Sequence, residues 1–211
     1  MSVVPDAVLI KKAVLVKRLG TADYVPTWQA MRAFTAARAE STPDELWLLE
    51  HPPVYTLGQG GDPAFGPARS AIPLVQSDRG GEITYHGPGQ CVLYTLVDLA
   101  RRGIKVKQFV SLLEAALIDL LEGRGERKPG APGVYVGGAK IAALGIRVSR
   151  GRAYHGVALN VHMDLSPFRA ISPCGYPGLA VTQMRDLGFQ QSKEELGEQL
   201  AQRVIARLED A

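Results

Sequence analysis

Cysteine is nearly missing from this chain: Cys91 and Cys174 are the only two among 211 residues. Two thiols without C-x-x-C spacing supply neither a disulfide framework nor a zinc-type ligand pair, so both are read as reduced and no metal is expected. Long hydrophobic runs are missing as well. Nothing approaches the ~20 consecutive apolar residues of a membrane helix. The first residues contain Pro5 and Asp6 and lead to Lys11 and Lys12, without an apolar stretch behind a basic start. No secretion signal and no membrane partner are therefore expected, and the location is read as cytoplasmic. Charge of one sign is weak, at +3 net, which gives no indication of nucleic-acid binding. Basic residues do gather at Arg101, Arg102, Lys105 and Lys107, and again at Arg124, Arg127 and Lys128. They form either a face for an acidic partner or ordinary solvated surface.

What is present is a globular composition, with 46% hydrophobic and 21% charged residues. The length suits one domain over residues 1–211. A Val/Leu-rich run at 13–19 predicts a strand, with 20–23 as its turn. A helix follows, with Asp23 or Thr27 as cap, Pro26 in its opening turn, and Trp28, Met31 and Phe34 on one core face. Further strands are expected at 45–50, 54–57, 72–77, 82–86 and 90–98. Helical periodicity over 107–122, closed by Gly123, predicts the clearest helix. The Pro/Gly-rich stretch 125–133 reads as a loop, followed by strands at 134–136, 140–148 and 153–161. A last amphipathic helix spans about 192–208, with Ser192 and Glu195 in capping-box register. Strands in runs with helices grouped around them indicate α+β, and the short connections between 45 and 98 favour mostly antiparallel pairing.

Three segments concentrate unusual chemistry. In Arg79-Gly80-Gly81-Glu82-Ile83-Thr84-Tyr85-His86-Gly87-Pro88-Gly89-Gln90 the glycines either let backbone approach a ligand or only turn the chain. His86 is correspondingly a pocket group or a structural side chain. In residues 132–145 one lysine, Lys140, sits in an apolar, Gly-rich strand. Such a lysine either extends its ammonium to water or, if buried, becomes a base near neutral pH. In Ser172-Pro173-Cys174-Gly175 a cysteine lies in a loop, whereas Cys91 sits in the strand Cys91-Val92-Leu93-Tyr94 and suits the role of a small buried hydrophobe. A nucleophilic Cys174 needs a partner that shifts its thiol from a free pKa of about 8.5, and Lys140 is the candidate.

Together these segments resemble the lipoyl(octanoyl) transferase family, within the biotin/lipoate protein ligase superfamily. RGGxxTYHGPGQ is matched at 79–90, PGVYVGGAKIAALG at 132–145, HGVALN at 155–160 and SPCG at 172–175. With His51-Pro52-Pro53-Val54-Tyr55-Thr56-Leu57-Gly58 before them, the likeness covers about residues 51–184. It implies a mixed, largely antiparallel β-sheet packed with α-helices. It also implies transfer of an octanoyl group from octanoyl-acyl carrier protein to a lysine of apo-lipoyl domains, those of 2-oxoacid dehydrogenases and the glycine-cleavage H protein. Cys174 would carry the acyl group as a thioester, with Lys140 activating the thiol. Neither ATP nor a metal is implied, since the thioester already carries the activation; a monomer is the expected state. By the same resemblance Arg79, Gly80, Gly81, Glu82, Ile83, Thr84, Tyr85 and His86, with Ala143, Leu144, Gly145, Gly156, Val157 and Ala158, line the acyl pocket. Backbone amides near Leu144 or Gly145 are candidate oxyanion donors. The rivals are an ATP-dependent lipoate or biotin ligase, against which the SPCG cysteine argues, an amidotransferase moving octanoyl between lipoyl domains, and a non-catalytic acyl- or carrier-binding module.

Overall fold

The computed structural model describes residues 13–67, 70–171 and 178–211. Among the described residues ten strands and four α-helices follow one another. Strand β1 (Val14–Thr21) leads into helix α1 (Tyr24–Ala37). Strands β2 (Asp44–Glu50), β3 (Val54–Leu57), β4 (Leu74–Gln76), β5 (Ile83–His86) and β6 (Gln90–Asp98) come next. A single-turn helix α2 (Leu99–Arg102) and the longer α3 (Val106–Leu120) separate them from β7 (Glu126–Lys128) and β8 (Ala131–Val136). Strands β9 (Ala139–Ser149) and β10 (Arg152–Asn160) and helix α4 (Lys193–Glu209) complete the set.

Seven strands form the main sheet in the order β1-β2-β6-β10-β9-β8-β7, and β4-β3-β5 form a smaller second sheet. The hairpins are set by backbone chemistry. Arg150 and Gly151 both have positive φ (51° and 78°), as do Gly137 and Gly138 (55° and 81°). Two such residues in succession give the turn whose twist matches that of adjoining strands, which fixes β9-β10 and β8-β9 as antiparallel neighbours. Pairing is mostly antiparallel, as the short connections between 45 and 98 suggest, with two exceptions: β1 runs parallel to β2 and β4 parallel to β3. In each case a long connection replaces a tight turn: α1 carries the chain back to β2, and residues 58–73 carry it from β3 to β4. The sheet is thus mixed, as the family resemblance implies.

Strand β6 is buried at all nine positions because both faces of the main sheet are covered. On one face α3 and α4 lay Leu113, Leu117, Leu200 and Val204 against Leu93 and Val97. On the other, α1 brings Met31 against Trp47, Leu49, Tyr94 and Leu96, with Trp28 and Phe34 partly buried at its margin. The second sheet has its own apolar cluster of Tyr55, Leu57, Ile83, Tyr85, Met163, Phe168 and Ile171.

Several local expectations need correction. Residues 125–133 do not form a plain loop, because β7 and β8 pair there as a hairpin at the sheet margin. Gly20 belongs to β1 rather than to a turn. Asp23 occupies the position before α1 without capping it through its side chain; instead the Thr27 hydroxyl donates to the Asp23 carbonyl at 2.7 Å. At α4, Ser192 and Glu195 do make the reciprocal capping box. Arg101 and Arg102 are not solvated surface: with Arg38 they converge on the fully buried Asp44 carboxylate, at 2.6 Å for both Arg101 and Arg102. Among the described residues no helix is long and apolar enough to cross a membrane, and no group of three His, Cys, Asp or Glu is placed to hold a metal.

Candidate active site

A cavity of about 420 Å³ opens between the β6, β10 and β9 region of the main sheet and the second sheet with its Arg79–Glu82 approach. Its long wall is made by consecutive residues of β9, from Lys140 to Ile146, and of β10, from His155 to Ala158 with Asn160 beyond. The register pairs Ala143 with Ala158, Leu144 with Val157, Gly145 with Gly156 and Ile146 with His155. Antiparallel pairing therefore turns two short sequence motifs into one continuous strip. The other sheet is pinned close against it: the Gly80 amide donates to the Ile146 carbonyl at 3.0 Å. A Cβ added at Gly145 would lie 2.7 Å from the Gly80 oxygen, so this approach requires glycine.

Arg79, Gly80, Gly81, Glu82, Ile83, Thr84, His86, Lys140, Ala143, Leu144, Gly145, Gly156, Val157 and Ala158 all border the cavity. Tyr85 does not. Its ring packs instead into the apolar cluster of the second sheet, 5.5 Å from both the Tyr55 and Phe168 ring centres. Cys174 lies outside the described residues. Cys91 is buried, and burial pushes its thiol up to about 12, which makes it inert as a nucleophile.

The buried polar residues form a connected relay. The Arg79 guanidinium donates to Thr56 Oγ1 through Nε at 3.1 Å and Nη2 at 2.9 Å. Thr56 in turn donates to His86 Nε2 at 3.3 Å, and His86 Nδ1–H donates to Gln90 Oε1 at 2.7 Å. Both partners of the ring are thus met by the neutral imidazole. Burial first, then the neighbouring His51, depresses the His86 pKa to about 3. From Gln90 the relay passes through Nε2 to Asn160 Oδ1 at 3.1 Å.

Sequence reading missed several residues of this wall, among them Tyr24, Gln90, Tyr94, His155 and Asn160. The Tyr24 ring stacks on His86 at 6.0 Å, and Tyr94 donates its hydroxyl to His51 Nε2 at 2.7 Å. His155 has φ of 62°, rare for a residue with a side chain, and this turn in the strand brings its ring against Tyr154, 5.1 Å between centres. Its Nε2 donates to Asp78 Oδ1 at 2.8 Å. Gln90 and Asn160 stood inside the quoted motifs, but nothing in the sequence said that they face each other.

Lys140 is the second residue of β9 and is buried, so it does not extend its ammonium into bulk water. Its Nζ donates to the Pro132 carbonyl at 3.0 Å and lies 5.4 Å from the Tyr135 ring centre. Room for its stem comes from Gly133, at φ 131°, where an added Cβ would stand 2.7 Å from Lys140 Cε and 2.5 Å from the Ala142 oxygen. The backbone of Lys140 is clasped by the segment that follows the Cys174 region: Lys140 N donates to Ala180 O at 2.8 Å and Thr182 N to Lys140 O at 3.0 Å.

Residues 23–205 match the model of the lipoyl protein ligase A/B catalytic domain. The chain belongs to this family. It is 61% identical over 191 residues to an octanoyltransferase of Aromatoleum aromaticum, covering 89% of this chain and 83% of that one. Against an octanoyltransferase of Dechloromonas aromatica it is 58% identical over 198 residues, covering 92% and 97%. Among solved structures it is similar to lipoate-protein ligase A bound with ATP, with a TM-score of 0.69 at 17% identity over 93% of this chain and 85% of the other. Biotin protein ligase from Aquifex aeolicus aligns with a TM-score of 0.55 at 10% identity, over 94% and 69%. These two share the fold. With relatives this similar over nearly its whole length, the family member described here is an acyltransferase acting in protein lipoylation.

Proposed function

We propose that the chain transfers an octanoyl group from octanoyl-acyl carrier protein to a specific lysine of apo-lipoyl domains, through a thioester on Cys174. In the first half-reaction the Cys174 thiolate attacks the donor thioester carbonyl. The carrier thiolate leaves and takes back a proton. In the second, the acceptor lysine amine attacks the Cys174 thioester, an amide forms, and Cys174 departs as the thiol after the amine's proton is passed on. Lys140 is the group that activates the thiol and handles these protons. The thioester supplies the driving force, so neither ATP nor a metal takes part. The acceptors are the lipoyl domains of 2-oxoacid dehydrogenases and the glycine-cleavage H protein, met in the cytoplasm by residues 1–211 acting as one catalytic domain and as a monomer.

The observation that carries this reading is a lysine, buried and oriented, at one end of a strip of small and apolar residues. Ala143, Gly145, Gly156 and Ala158 leave width for a hydrocarbon chain. At about 0.8 kcal/mol per buried methylene, eight carbons contribute roughly 5 kcal/mol before ordering costs. The cavity borders Val181, and Ala180 and Thr182 grip Lys140; these residues follow Cys174 by only a few positions. Names of relatives more than half identical to the chain support the acyl group chosen.

Incubation with octanoyl-acyl carrier protein should add one octanoyl mass to Cys174, and apo-lipoyl domain should remove it without ATP. Cys174→Ser should abolish the adduct, and Lys140→Ala should slow its formation and move its pH profile upward. Transfer that requires ATP, or that persists in Cys174→Ser, overturns the proposal.

A further inference from the structure

Asn160 lies at the meeting point of three elements that the reaction needs together. It ends β10 and pairs in register with Gln90, which begins β6. Both residues are buried and both border the cavity. Gln90 spends its amide hydrogens on the Tyr85 carbonyl at 3.2 Å and on Asn160 Oδ1 at 3.1 Å, while its Oε1 receives the proton of His86. The amide of Asn160 is oriented by this contact. Its Oδ1 must face the Gln90 donor, so its Nδ2 faces the Thr182 carbonyl, to which it donates at 3.0 Å. Thr182 is the residue whose own amide donates to the Lys140 carbonyl. A side chain oriented by Gln90, itself bonded to His86, therefore holds Thr182 in place on Lys140.

We infer that Asn160 is a positioning residue for the acyl-transfer site, which sets the seat of residues 180–182 on Lys140 and so holds that lysine for its part in the reaction. This rests on the Cys174 and Lys140 roles proposed above. Geometry favours asparagine over similar side chains. One end must accept from Gln90 and the other must donate to Thr182, and an uncharged amide of this length does both at every pH. An aspartate presents an acceptor to the Thr182 carbonyl and leaves both oxygens facing each other. Once protonated, however, the carboxylic acid restores an acceptor and a donor. Of the ionisable groups around Asn160, His86 keeps its neutral form down to about 3, and Lys140 lies across Thr182.

The test compares Asn160→Ala and Asn160→Asp with the wild-type chain by two readouts. The first is the rate of Cys174 octanoylation by octanoyl-acyl carrier protein between pH 5 and 8, expressed as a ratio to wild type at each pH. Asn160→Ala should lose about tenfold at all pH values, the scale of one lost hydrogen bond of about 1.4 kcal/mol. Asn160→Asp should fall at least as far at pH 8 and recover toward wild type as the pH drops. A ratio for Asn160→Asp that is flat with pH, or an Asn160→Ala rate equal to wild type, overturns the inference. The second readout is hydrogen exchange at the Thr182 amide, which needs no acyl chemistry. Exchange faster than wild type in Asn160→Ala, with the rest of β9 and β10 still protected, supports positioning. Unchanged Thr182 exchange overturns it, whatever becomes of the Cys174 thioester.

Discussion

Asp78 and His155 face each other at the wall of the cavity, Oδ1 to Nε2 at 2.8 Å, and the same carboxylate also receives the Tyr154 hydroxyl and the Trp28 indole N–H. Burial alone would raise the Asp78 pKa, but the donors from His155, Tyr154 and Trp28 outweigh it and hold the carboxyl at about 2. An acid depressed in the folded chain stabilises it above the unfolded value, near 3.8, and that contribution fades as the pH falls toward 2. Asp78→Asn should therefore flatten the acid limb of stability between about pH 4 and 2. At pH 7 it should cost about 1–3 kcal/mol, because one of three donors then meets an amide N–H. Urea denaturation across this range measures both effects.

His86 gives a second window with the same direction. Its folded pKa of about 3 lies below the ordinary 6.5, so the unfolded chain takes up a proton that the native chain refuses. Stability is complete above about pH 6.5 and declines as the pH falls toward 3. His51 and His155 are lowered as well, both by burial in the first place, and add to the slope. His86→Gln should make the slope shallower by up to about 1.4 kcal/mol per pH unit in this window. A slope equal to wild type would mean that the ring is solvated in the native chain.

Gly145→Ala should separate the two sheets. Its new methyl would meet the Gly80 carbonyl at 2.7 Å, and backbone on both sides cannot swing away as a side chain tip would. The expected loss is about 1–3 kcal/mol of stability, with weaker octanoyl binding. Thermal melting reports the first and calorimetry with octanoate the second.

Asp44→Ala should be the most damaging single change outside the cavity. It strands Arg38, Arg101 and Arg102 beside one another, with side chains at most 8% exposed. Removing one partner of a buried ion pair typically costs about 3–5 kcal/mol, and here three cations lose their common anion. A melting transition within about 1 kcal/mol of wild type would contradict this view of the cluster.

Much of the architecture was legible because periodicity reports burial directly. The helices α3 and α4 bury one stripe each, and β6, covered on both faces, reads as an unbroken apolar run. What stayed illegible depends on distant partners. The hairpin of β7 and β8 looks like a loop because it lies at the sheet margin and carries the Pro and Gly of an edge. Arg101 and Arg102 look like surface until Asp44, more than fifty residues earlier, is placed beneath them. At the site, the motif residues were legible as chemistry but not as orientation. Tyr85 packs on Tyr55 and Phe168 instead of lining the cavity, and the register of β6 on β10 brings Gln90 to Asn160. Tyr24 belongs to none of the motifs and enters only because α1 packs on the face of the sheet that bears Trp47 and Tyr94.

The crowding of Gly133 against the Lys140 stem makes the two positions one steric unit. A side chain at 133 would press on the Lys140 stem and on the Ala142 carbonyl, so the ammonium keeps its bond to the Pro132 carbonyl only beside a residue without a Cβ. Transplanting this amine into another scaffold would accordingly mean moving two codons rather than one.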